Sequence, residues 1–389
     1  MTRRIAVITG TRAEYGLLTS TLQAIDADPR LELQLVVTGM HLLRRFGHTV
    51  DEIVRDGWRI AARVPMQRGD DGPLDQAEGL SRGVAGIARF LERAASDIVV
   101  VLGDRIEALA GGLAAVTTGR VLAHIHGGDV APGDFDDALR HTLTKLAHVH
   151  LPATRAAARR IVGMGEDRAR VHVVGAPGLD RLRVLLRCWG RRPCTKRCST
   201  NPVCESSDPR PFALVVQHAY GRPARVEQQV TGRVLNAVRA AGLRRVIVYP
   251  NSDRGNSGVI AALEQHAARS RDGAVAVARS LPRDDYLRAL IAARVLIGNS
   301  SSGIIEAPLA GTPSINVGDR QAGREPGGRS VIHVGERKGE IERGLARALR
   351  MRVRPGRTVY GDGQAGARIA AVLAEVPLSP AFKRKLLQV

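Results

Sequence analysis

The chain has 389 residues, which is too long for one ordinary domain and fits two. Hydrophobic residues make up 44% of it and charged residues 25%, as is typical of a soluble globular protein, and no apolar run is long enough to span a membrane. The formal net charge is +20, but the arginines of the chain are spread along its whole length, and aromatic residues make up only 3% of it. Both observations argue against a specific nucleic-acid partner.

The N-terminal half alternates short apolar runs with segments that can form helices. Its predicted strands end in glycine and polar residues: Ile5–Ile8, Leu33–Val37, Asp97–Leu102, Val121–Ile125 and Val171–Val174. Helices are expected over Glu14–Ile25 and Asp136–His148. This alternation predicts a parallel sheet whose ligand lies at the carboxyl ends of the strands. The first apolar run is too short for a signal peptide, so we expect a cytoplasmic protein.

A segment rich in cysteine, arginine and proline, residues 186–210, interrupts this alternation. It contains all four cysteines, Cys188, Cys194, Cys198 and Cys204. Their spacings lack the paired Cys-x2-Cys knuckles of a structural zinc site. We interpret the segment as an exposed insertion between two domains with incidental thiols, and we predict no bound metal. A metal or disulfide staple is the alternative.

The alternation of strands and helices then begins again. The predicted strands of the second half are Phe212–Gln217, Arg245–Tyr249, Val275–Ala278, Val295–Ile297 and Ser314–Val317. We therefore predict an α/β protein of two Rossmann-like, doubly wound domains, residues 1–185 and 211–376, that face one another across a cleft. The amphipathic helix Ala365–Ala374 and the tail 377–389 are candidates to pack back on the first domain.

A serine-rich turn follows the predicted strand Val295–Ile297. It reads Gly298-Asn299-Ser300-Ser301-Ser302-Gly303 and enters a helix that extends through Glu306. Free N–H groups and the positive end of the helix dipole suit a diphosphate there, and Glu306 could accept hydrogen bonds from ribose hydroxyls. An N-cap beside an incidental serine run is the alternative.

Arginines follow two other strand ends. Arg12 lies in Gly10-Thr11-Arg12-Ala13-Glu14, and Arg320 and Arg324 lie in a loop after Ser314–Val317. Guanidinium groups there are available to a pyrophosphate, although a solvated surface arginine is the alternative for each. The first turn lacks the Gly-x-Gly-x-x-Gly pattern, so no dinucleotide cofactor is indicated.

Carboxylates and imidazoles also stand where predicted strands end: Asp104, Asp129, Asp136, Asp137, His126 and His218. Such groups converging on one site could transfer a proton at carbon and assist a leaving group. Helix capping is the alternative for each aspartate, and a packed or exposed side chain is the alternative for each histidine. His41 and His48 flank a segment that we predict to be a loop.

Taken together, these motifs resemble the UDP-N-acetylglucosamine 2-epimerase superfamily, and more closely its hydrolysing branch. The most specific matching stretches are ITGTRAEYGLL (8–18), RHTLTKLAH (140–148), GNSSSGIIEAP (298–308) and GDRQAGR (318–324). The resemblance implies a GT-B-like pair of domains, no cofactor, a nucleotide sugar, most readily UDP-linked, as the substrate, no membrane partner, and a homodimer.

The resemblance also implies roles for individual residues. Catalytic roles are implied for Asp104, His126, Asp129, Asp137 and His218, of which His218 would protonate or polarise the leaving phosphate. Substrate contacts are implied for Arg12, Arg105, Arg140, His141, Asn251, Ser300, Ser301, Ser302, Glu306, Arg320, Gln321 and Arg324. This chain departs from the family pattern at His126, where glutamate is frequent, and at Ala219-Tyr220, where proline usually follows the histidine.

We therefore predict a hydrolysing 2-epimerase of a UDP- or GDP-linked 2-acetamido sugar, acting through a glycal. The alternatives are a non-hydrolysing 2-epimerase, a GT-B glycosyltransferase, a catalytically silent sugar-nucleotide-binding protein and, last, a basic nucleic-acid-binding protein. The sequence leaves open the substituents of the sugar at C4 and C6.

Overall fold

The computed structural model describes residues 2–44, 47–68, 73–130, 136–189, 210–250, 255–270, 274–278, 281–356 and 358–388. They form two compact units. The first comprises Met1–Asp129, Phe135–Asp180 and Gly363–Val389, and the second comprises Val130–Asp134 and Arg181–Asp362. Of the residues considered above, Asn251, Cys194, Cys198 and Cys204 lie outside the described residues, and Cys188 is exposed.

The first unit is built on a parallel sheet of six strands, counted over the described residues, in the order β3-β2-β1-β4-β5-β6. The strands are β1 Arg3–Thr9, β2 Leu31–Thr38, β3 Ile60–Val64, β4 Ile98–Leu102, β5 Val121–Ile125 and β6 Val149–Leu151. The helices between them are α1 Arg12–Asp26, α2 Val50–Arg55, α3 Pro73–Arg93, α4 Ile106–Thr117, α5 Asp136–Leu146 and α6 Arg155–Gly163. The inner strands β4 and β5 are buried throughout because helices cover both faces of the sheet, and they are apolar except for His124.

The second unit repeats this plan, with the strand order β12-β11-β10-β7-β8-β9 among the described residues. Its strands are β7 Phe212–Val216, β8 Arg244–Val248, β9 Val275–Ala278, β10 Val295–Gly298, β11 Ser314–Val317 and β12 Val331–Val334. Its helices are α7 Gly178–Trp189, which begins in the first unit, α8 Ala224–Ala240, α9 Asn256–Arg269, α10 Arg283–Ala292, α11 Ser302–Ile305, α12 Ala307–Ala310 and α13 Lys338–Arg350. The prediction of two doubly wound α/β domains is therefore confirmed.

The chain then returns to the first unit with α14 Ala365–Glu375 and α15 Pro380–Lys383. Ile369 and Leu373 of α14 are fully buried in the same core as Leu18 and Leu22 of α1. The carboxylate of Asp180 caps α14, because it accepts the backbone N–H groups of Ala365 and Gly366 at 2.9 and 2.7 Å. The helix Ala365–Ala374, which the sequence assigned to the domain 211–376, thus belongs to the first unit.

The C-terminal residues are fastened to the first unit around the buried carboxylate of Glu166. Lys145 and Lys385 each approach it at 2.6 Å, and Nε2 of His150 lies 3.0 Å away. Burial alone would raise the pKa of Glu166, but the hydrogen bonds from His150, Lys145 and Lys385 together lower it to about 2. The tail is thus tied to β6 and to the end of α5.

One local prediction was wrong. Val171–Val174 was predicted as a strand, but Val171 forms only an isolated bridge with His150. Val174 does donate to the carbonyl of Pro152 at 3.1 Å, yet proline has no N–H with which to extend the ladder. His41, which flanks the predicted loop, is buried in a 3-10 helix, Gly39–Leu42. Within the described part of the chain, no helix is long and apolar enough to cross a membrane.

Candidate functional site

Two arginines lie at the carboxyl ends of the paired strands β1 and β4 in the first unit. Thr11 caps α1 by accepting the N–H of Glu14 at 3.3 Å, and Arg12 begins the helix. Nε of Arg12 forms an ion pair with Glu52 at 2.7 Å. Arg105 immediately precedes α4, and its Nε donates to Oε2 of Glu107 at 3.2 Å. The fold thus brings the predicted Arg12 and Arg105 to one edge of the sheet.

The turns that carry these arginines lie on buried polar side chains. Glu14 is 5% exposed and Glu107 is fully buried. Burial raises the pKa of Glu14 to about 8, and the nearby charge of Glu107 adds to the increase. His41 is bonded to Thr9 at 3.2 Å and to Thr49 at 2.7 Å, and burial lowers its pKa to about 4. At neutral pH, therefore, Glu14 is mostly protonated and His41 is uncharged.

Asp104, at the end of β4, is held by Arg140 of α5. One guanidinium nitrogen of Arg140 donates to the carboxylate of Asp104, and the other donates to the backbone carbonyl of His126 at 2.9 Å. Arg140 is only 4% exposed. Arg140 therefore links the loops that follow β4 and β5, and the substrate contact predicted for it stays a prediction.

His126 and Asp129 form a buried pair at the end of β5. Nδ1 of His126 lies 3.0 Å from Oδ2 of Asp129, and the φ of His126 is 62°, in the left-handed region that residues with a side chain rarely adopt. Because a carboxylate can only accept, Nδ1 carries the hydrogen, and Nε2 is the ring atom that can take up a proton. The strained turn holds this imidazole at the predicted site.

Asp137 and His141 lie one turn apart on α5. Nε2 of His141 is 3.4 Å from Oδ2 of Asp137, and neither side chain is fully buried. The first unit thus brings together, at the ends of β4 and β5 and on α5, the predicted Asp104, His126, Asp129, Asp137, Arg140 and His141.

In the second unit, the ends of the neighbouring strands β7 and β10 are joined through His218 and Asn299. The side-chain amide of Asn299 accepts the N–H of His218 and donates to its carbonyl, both at 2.8 Å. Gly298 has a φ of 143°, and a Cβ there would lie 2.0 Å from the carbonyl oxygen of Val216. Burial and the positive charge of Arg320 lower the pKa of His218 to about 3, so its imidazole is neutral at pH 7.

The serine-rich turn leads into two short helices. α11 ends at Ile305 and α12 begins at Ala307, because Pro308 has no N–H to donate to the carbonyl of Ile304. Ser302 donates to Oε2 of Glu306 at 2.5 Å, and Arg283 of α10 pairs with Oε1 of the same carboxylate. Both oxygens of Glu306 thus already accept a hydrogen bond within the protein.

The loop after β11 reaches the same turn, because β11 pairs with β10. Gln321 donates to the backbone carbonyl of Asn299 at 2.9 Å, and Arg320 donates to that carbonyl at 3.3 Å. Arg324 follows in the same loop, where its N–H bonds to the carbonyl of Gln321 at 3.2 Å. The second unit therefore brings together the predicted His218, Ser300, Ser301, Ser302, Glu306, Arg320, Gln321 and Arg324.

Sequence reasoning missed four polar side chains in these two sets: Glu52, Glu107, Arg283 and Tyr286. Glu107 was detectable, because Gly103-Asp104-Arg105-Ile106-Glu107 repeats the Gly-x-Arg-x-Glu pattern of residues 10–14. Tyr286 donates to Ser302 at 2.6 Å, but nothing in the sequence of α10 indicates that contact. Over the described residues, no group of three or more His, Cys, Asp or Glu could hold a metal ion.

Comparison with known proteins gives a consistent result. The sequence profile of the UDP-N-acetylglucosamine 2-epimerase family matches residues 23–374. The chain is 34% identical over 338 residues to a UDP-N-acetylglucosamine 2-epimerase of Neisseria meningitidis serogroup B, which covers 85% of this chain and 84% of the relative. It is 32% identical over 378 residues to the UDP-N,N'-diacetylbacillosamine 2-epimerase (hydrolyzing) of Legionella pneumophila, which covers 97% of both.

Solved structures share the fold. A UDP-GlcNAc 2-epimerase from Neisseria meningitidis, bound to UDP-GlcNAc, matches with a TM-score of 0.78 and 14% sequence identity. The match covers 96% of this chain and 100% of that structure.

Proposed function

The chain belongs to the UDP-N-acetylglucosamine 2-epimerase family, and from that premise we propose that it is a hydrolysing 2-epimerase of a nucleotide-activated 2-acetamido sugar. Its products are a manno-configured amino sugar and the nucleoside diphosphate. The substrate is UDP-N-acetylglucosamine or a 2,4-diacetamido relative. The observation that carries this proposal is the 32% identity, over 97% of both chains, with a relative named as a hydrolysing enzyme.

The proposed reaction has two steps. A base removes the proton from C2 of the sugar while the bond between C1 and the diphosphate oxygen breaks, so that the electron pair of the C–H bond forms a C1–C2 double bond and the diphosphate leaves. Water then adds across this glycal: its oxygen binds C1, and a proton reaches C2 from the opposite face. The sum is nucleotide sugar plus water giving the C2-inverted sugar and the free diphosphate.

We assign proton transfer to the first unit. His126 offers Nε2 as an acceptor because Asp129 occupies Nδ1, and this arrangement supports His126 in the place where relatives often have glutamate. Asp104 is the second acid, oriented by Arg140. Asp137 and His141, on the same helix as Arg140, are the remaining residues that we assign to proton transfer.

We assign nucleotide binding to the second unit. Ser300, Ser301, Arg320 and Arg324 follow neighbouring strands and carry hydroxyl and guanidinium donors suited to a diphosphate. His218 is uncharged, so it is suited to donate an N–H hydrogen bond to the leaving phosphate rather than to protonate it outright. Glu306 is suited to the ribose hydroxyls if they share its carboxylate with Ser302 and Arg283.

An isotope experiment tests the proposal. The protein is incubated with UDP-N-acetylglucosamine, or with the 2,4-diacetamido analogue, in D2O, and nuclear magnetic resonance follows UDP release and deuterium at C2. We expect free UDP together with deuterated N-acetylmannosamine or its analogue. UDP release without deuterium at C2 would contradict proton abstraction and would indicate hydrolysis of the glycosyltransferase type.

The non-hydrolysing 2-epimerase is the second candidate, because the Neisseria relative named simply as a UDP-N-acetylglucosamine 2-epimerase is 34% identical. That reaction would return the diphosphate to C1. It would therefore place deuterium at C2 of an intact nucleotide sugar and release no UDP. Binding without turnover on either nucleotide sugar would instead favour a catalytically silent binding protein.

A further inference from the structure

The first unit contains the same five-residue pattern twice. Gly10-Thr11-Arg12-Ala13-Glu14 follows β1, and Gly103-Asp104-Arg105-Ile106-Glu107 follows β4. Because β1 and β4 are neighbouring parallel strands, the two Gly-x-Arg-x-Glu turns lie side by side. Each turn places an arginine at the start of its helix and a buried glutamate two residues later.

The two glutamates meet at the backbone of Gly10. Oε2 of Glu14 accepts the N–H of Gly10 at 2.9 Å. The side chain of Glu107 packs against the same glycine so closely that a Cβ on Gly10 would lie 2.4 Å from Cγ of Glu107. The side chain of Glu107 in the second turn therefore packs against the backbone of the first turn. Both glutamate side chains are buried.

The partners of the two carboxyl groups are unequal. Glu107 accepts a hydrogen bond from Nε of Arg105 at 3.2 Å and another from Nε2 of Gln67 at 3.3 Å. Glu14 receives a backbone N–H, and within the described part of the chain no lysine or arginine forms an ion pair with it. The amide oxygen of Gln67 is buried and has no hydrogen-bond partner among the described residues. Glu107 therefore has a cationic partner, whereas Glu14 has none within the described residues, and this difference favours the protonated form of Glu14.

The other charged groups near Glu14 balance one another. Arg12 is paired with Glu52 of α2, Arg105 with Glu107, and the buried His41 is neutral. Asp136, at the start of α5, also acts on Arg105. Ionisation of Glu14 would add a negative charge beside the carboxyl group of Glu107, and the nearby charge of Arg105 would offset part of it.

We propose that Glu14 and Glu107 are positioning residues for the turns that carry Arg12 and Arg105, and that the proton held by Glu14 strengthens binding of the nucleoside diphosphate. This inference rests on the proposed function, because it takes Arg12 and Arg105 as contacts of the diphosphate. The carboxyl groups do not touch the ligand. They set the position and the net charge of the turns that do.

The sign of the pH effect follows from the charges. In the free protein the pKa of Glu14 is about 8, because burial disfavours its charged form. A bound diphosphate adds negative charge and raises that pKa further, so binding near pH 8 takes up a proton. If the pKa rises by about one unit, the Kd for the ligand increases roughly fivefold between pH 7 and pH 9.

Titration calorimetry with UDP as the probe tests the inference. We expect the wild-type protein to take up a fraction of a proton per UDP at pH 8, measured by comparing buffers of different ionisation enthalpy. Glu14→Gln keeps an oxygen for the Gly10 N–H but cannot ionise. We expect it to bind UDP without proton uptake and to lack the wild-type loss of affinity between pH 7 and pH 9. Glu32→Gln, an exposed glutamate of β2, is the control and should behave as the wild type.

The possible outcomes separate the two proposals. No binding of UDP at any pH would overturn the proposed function. UDP binding by the wild type without proton uptake at pH 8 would overturn the inference alone, and this measurement does not depend on the folding of a variant. The same proton uptake in Glu14→Gln as in the wild type would also overturn it. Groups that titrate on UDP itself contribute equally to both proteins and cancel in the comparison.

Discussion

The side-chain amide of Asn299 forms two hydrogen bonds with the backbone of His218, one as acceptor and one as donor, each 2.8 Å long. This pair joins the ends of β7 and β10 and orients the loop that carries the imidazole. Asn299→Asp keeps the acceptor and removes the donor. We expect its kcat to fall about tenfold to a hundredfold, because His218 would be displaced from the reacting group.

Steady-state kinetics measure this effect. Asn236→Asp, an exposed asparagine of α8 in the same unit, is the matched control and should retain wild-type kcat. Wild-type turnover by Asn299→Asp would mean that the orientation of His218 does not depend on this pair.

His218 is expected to act as a neutral hydrogen-bond donor. Because burial lowers its pKa to about 3, the pH profile of kcat/KM should show no ionisation of His218 between pH 5 and pH 8. His218→Ala should lower kcat a hundredfold or more and retain UDP binding. His333→Ala, an exposed histidine of β12, is the control. A fully active His218→Ala variant would remove His218 from the mechanism.

The pair between Arg140 and Asp104 is expected to support stability as well as catalysis. Arg140→Met leaves the Asp104 carboxylate without its cation, and we expect the free energy of unfolding to decrease by about 3 kcal/mol. The double variant with Asp104→Asn should lose less than the sum of the two single variants. Chemical denaturation measures all three against Arg159→Met, an exposed arginine of α6. Strict additivity would show that the pair is not energetically coupled.

The contact between Glu166 and Lys385 predicts a stability loss that depends on pH. The folded-state pKa of Glu166, about 2, is below the ordinary value for glutamate, so its contribution is fully present above about pH 4.5 and is lost as the pH falls towards 2. Lys385→Met should therefore destabilise the protein more at pH 7 than near pH 2, where less of Glu166 is charged; the bonds of Lys385 to the carbonyls of Thr144 and Lys145 are lost at both pH values. Thermal melts of Lys383→Met provide the control. An equal loss of stability in Lys385→Met at both pH values would exclude an electrostatic cause.

Strands and helices were predicted correctly from the sequence where the pattern that indicates them lies within the element itself. Val121–Ile125 was predicted with the bounds that β5 has, because a short run that is apolar except for His124 and lies between polar loops is typical of a buried parallel strand. The strand Ile60–Val64 was missed, since an edge strand is half exposed and its alternation is weak. The predicted helix ended at Glu306, so the second short helix, α12, was not predicted.

The candidate site was predictable only as a set of positions. Strand ends indicated Asp104, His126 and His218, because parallel strands present their carboxyl ends at one edge. What each side chain contacts depends on partners distant in the chain. The pairing of Arg140 with Asp104, 36 residues away, was not predicted. A sequence gives no distance between such groups, so their pairing emerges only from the folded chain.

The first unit needs the last residues of the chain to complete its core, since Ile369 and Leu373 of α14 pack beside α1. During translation, residues 1–180 emerge from the ribosome well before α14 is made. The apolar surface of α1 that packs against α14 therefore stays exposed while residues 181–362 are being synthesised. The segment 181–362 emerges without interruption and can fold first. During synthesis, the earliest part of the polypeptide is therefore the part that most needs protection by chaperones.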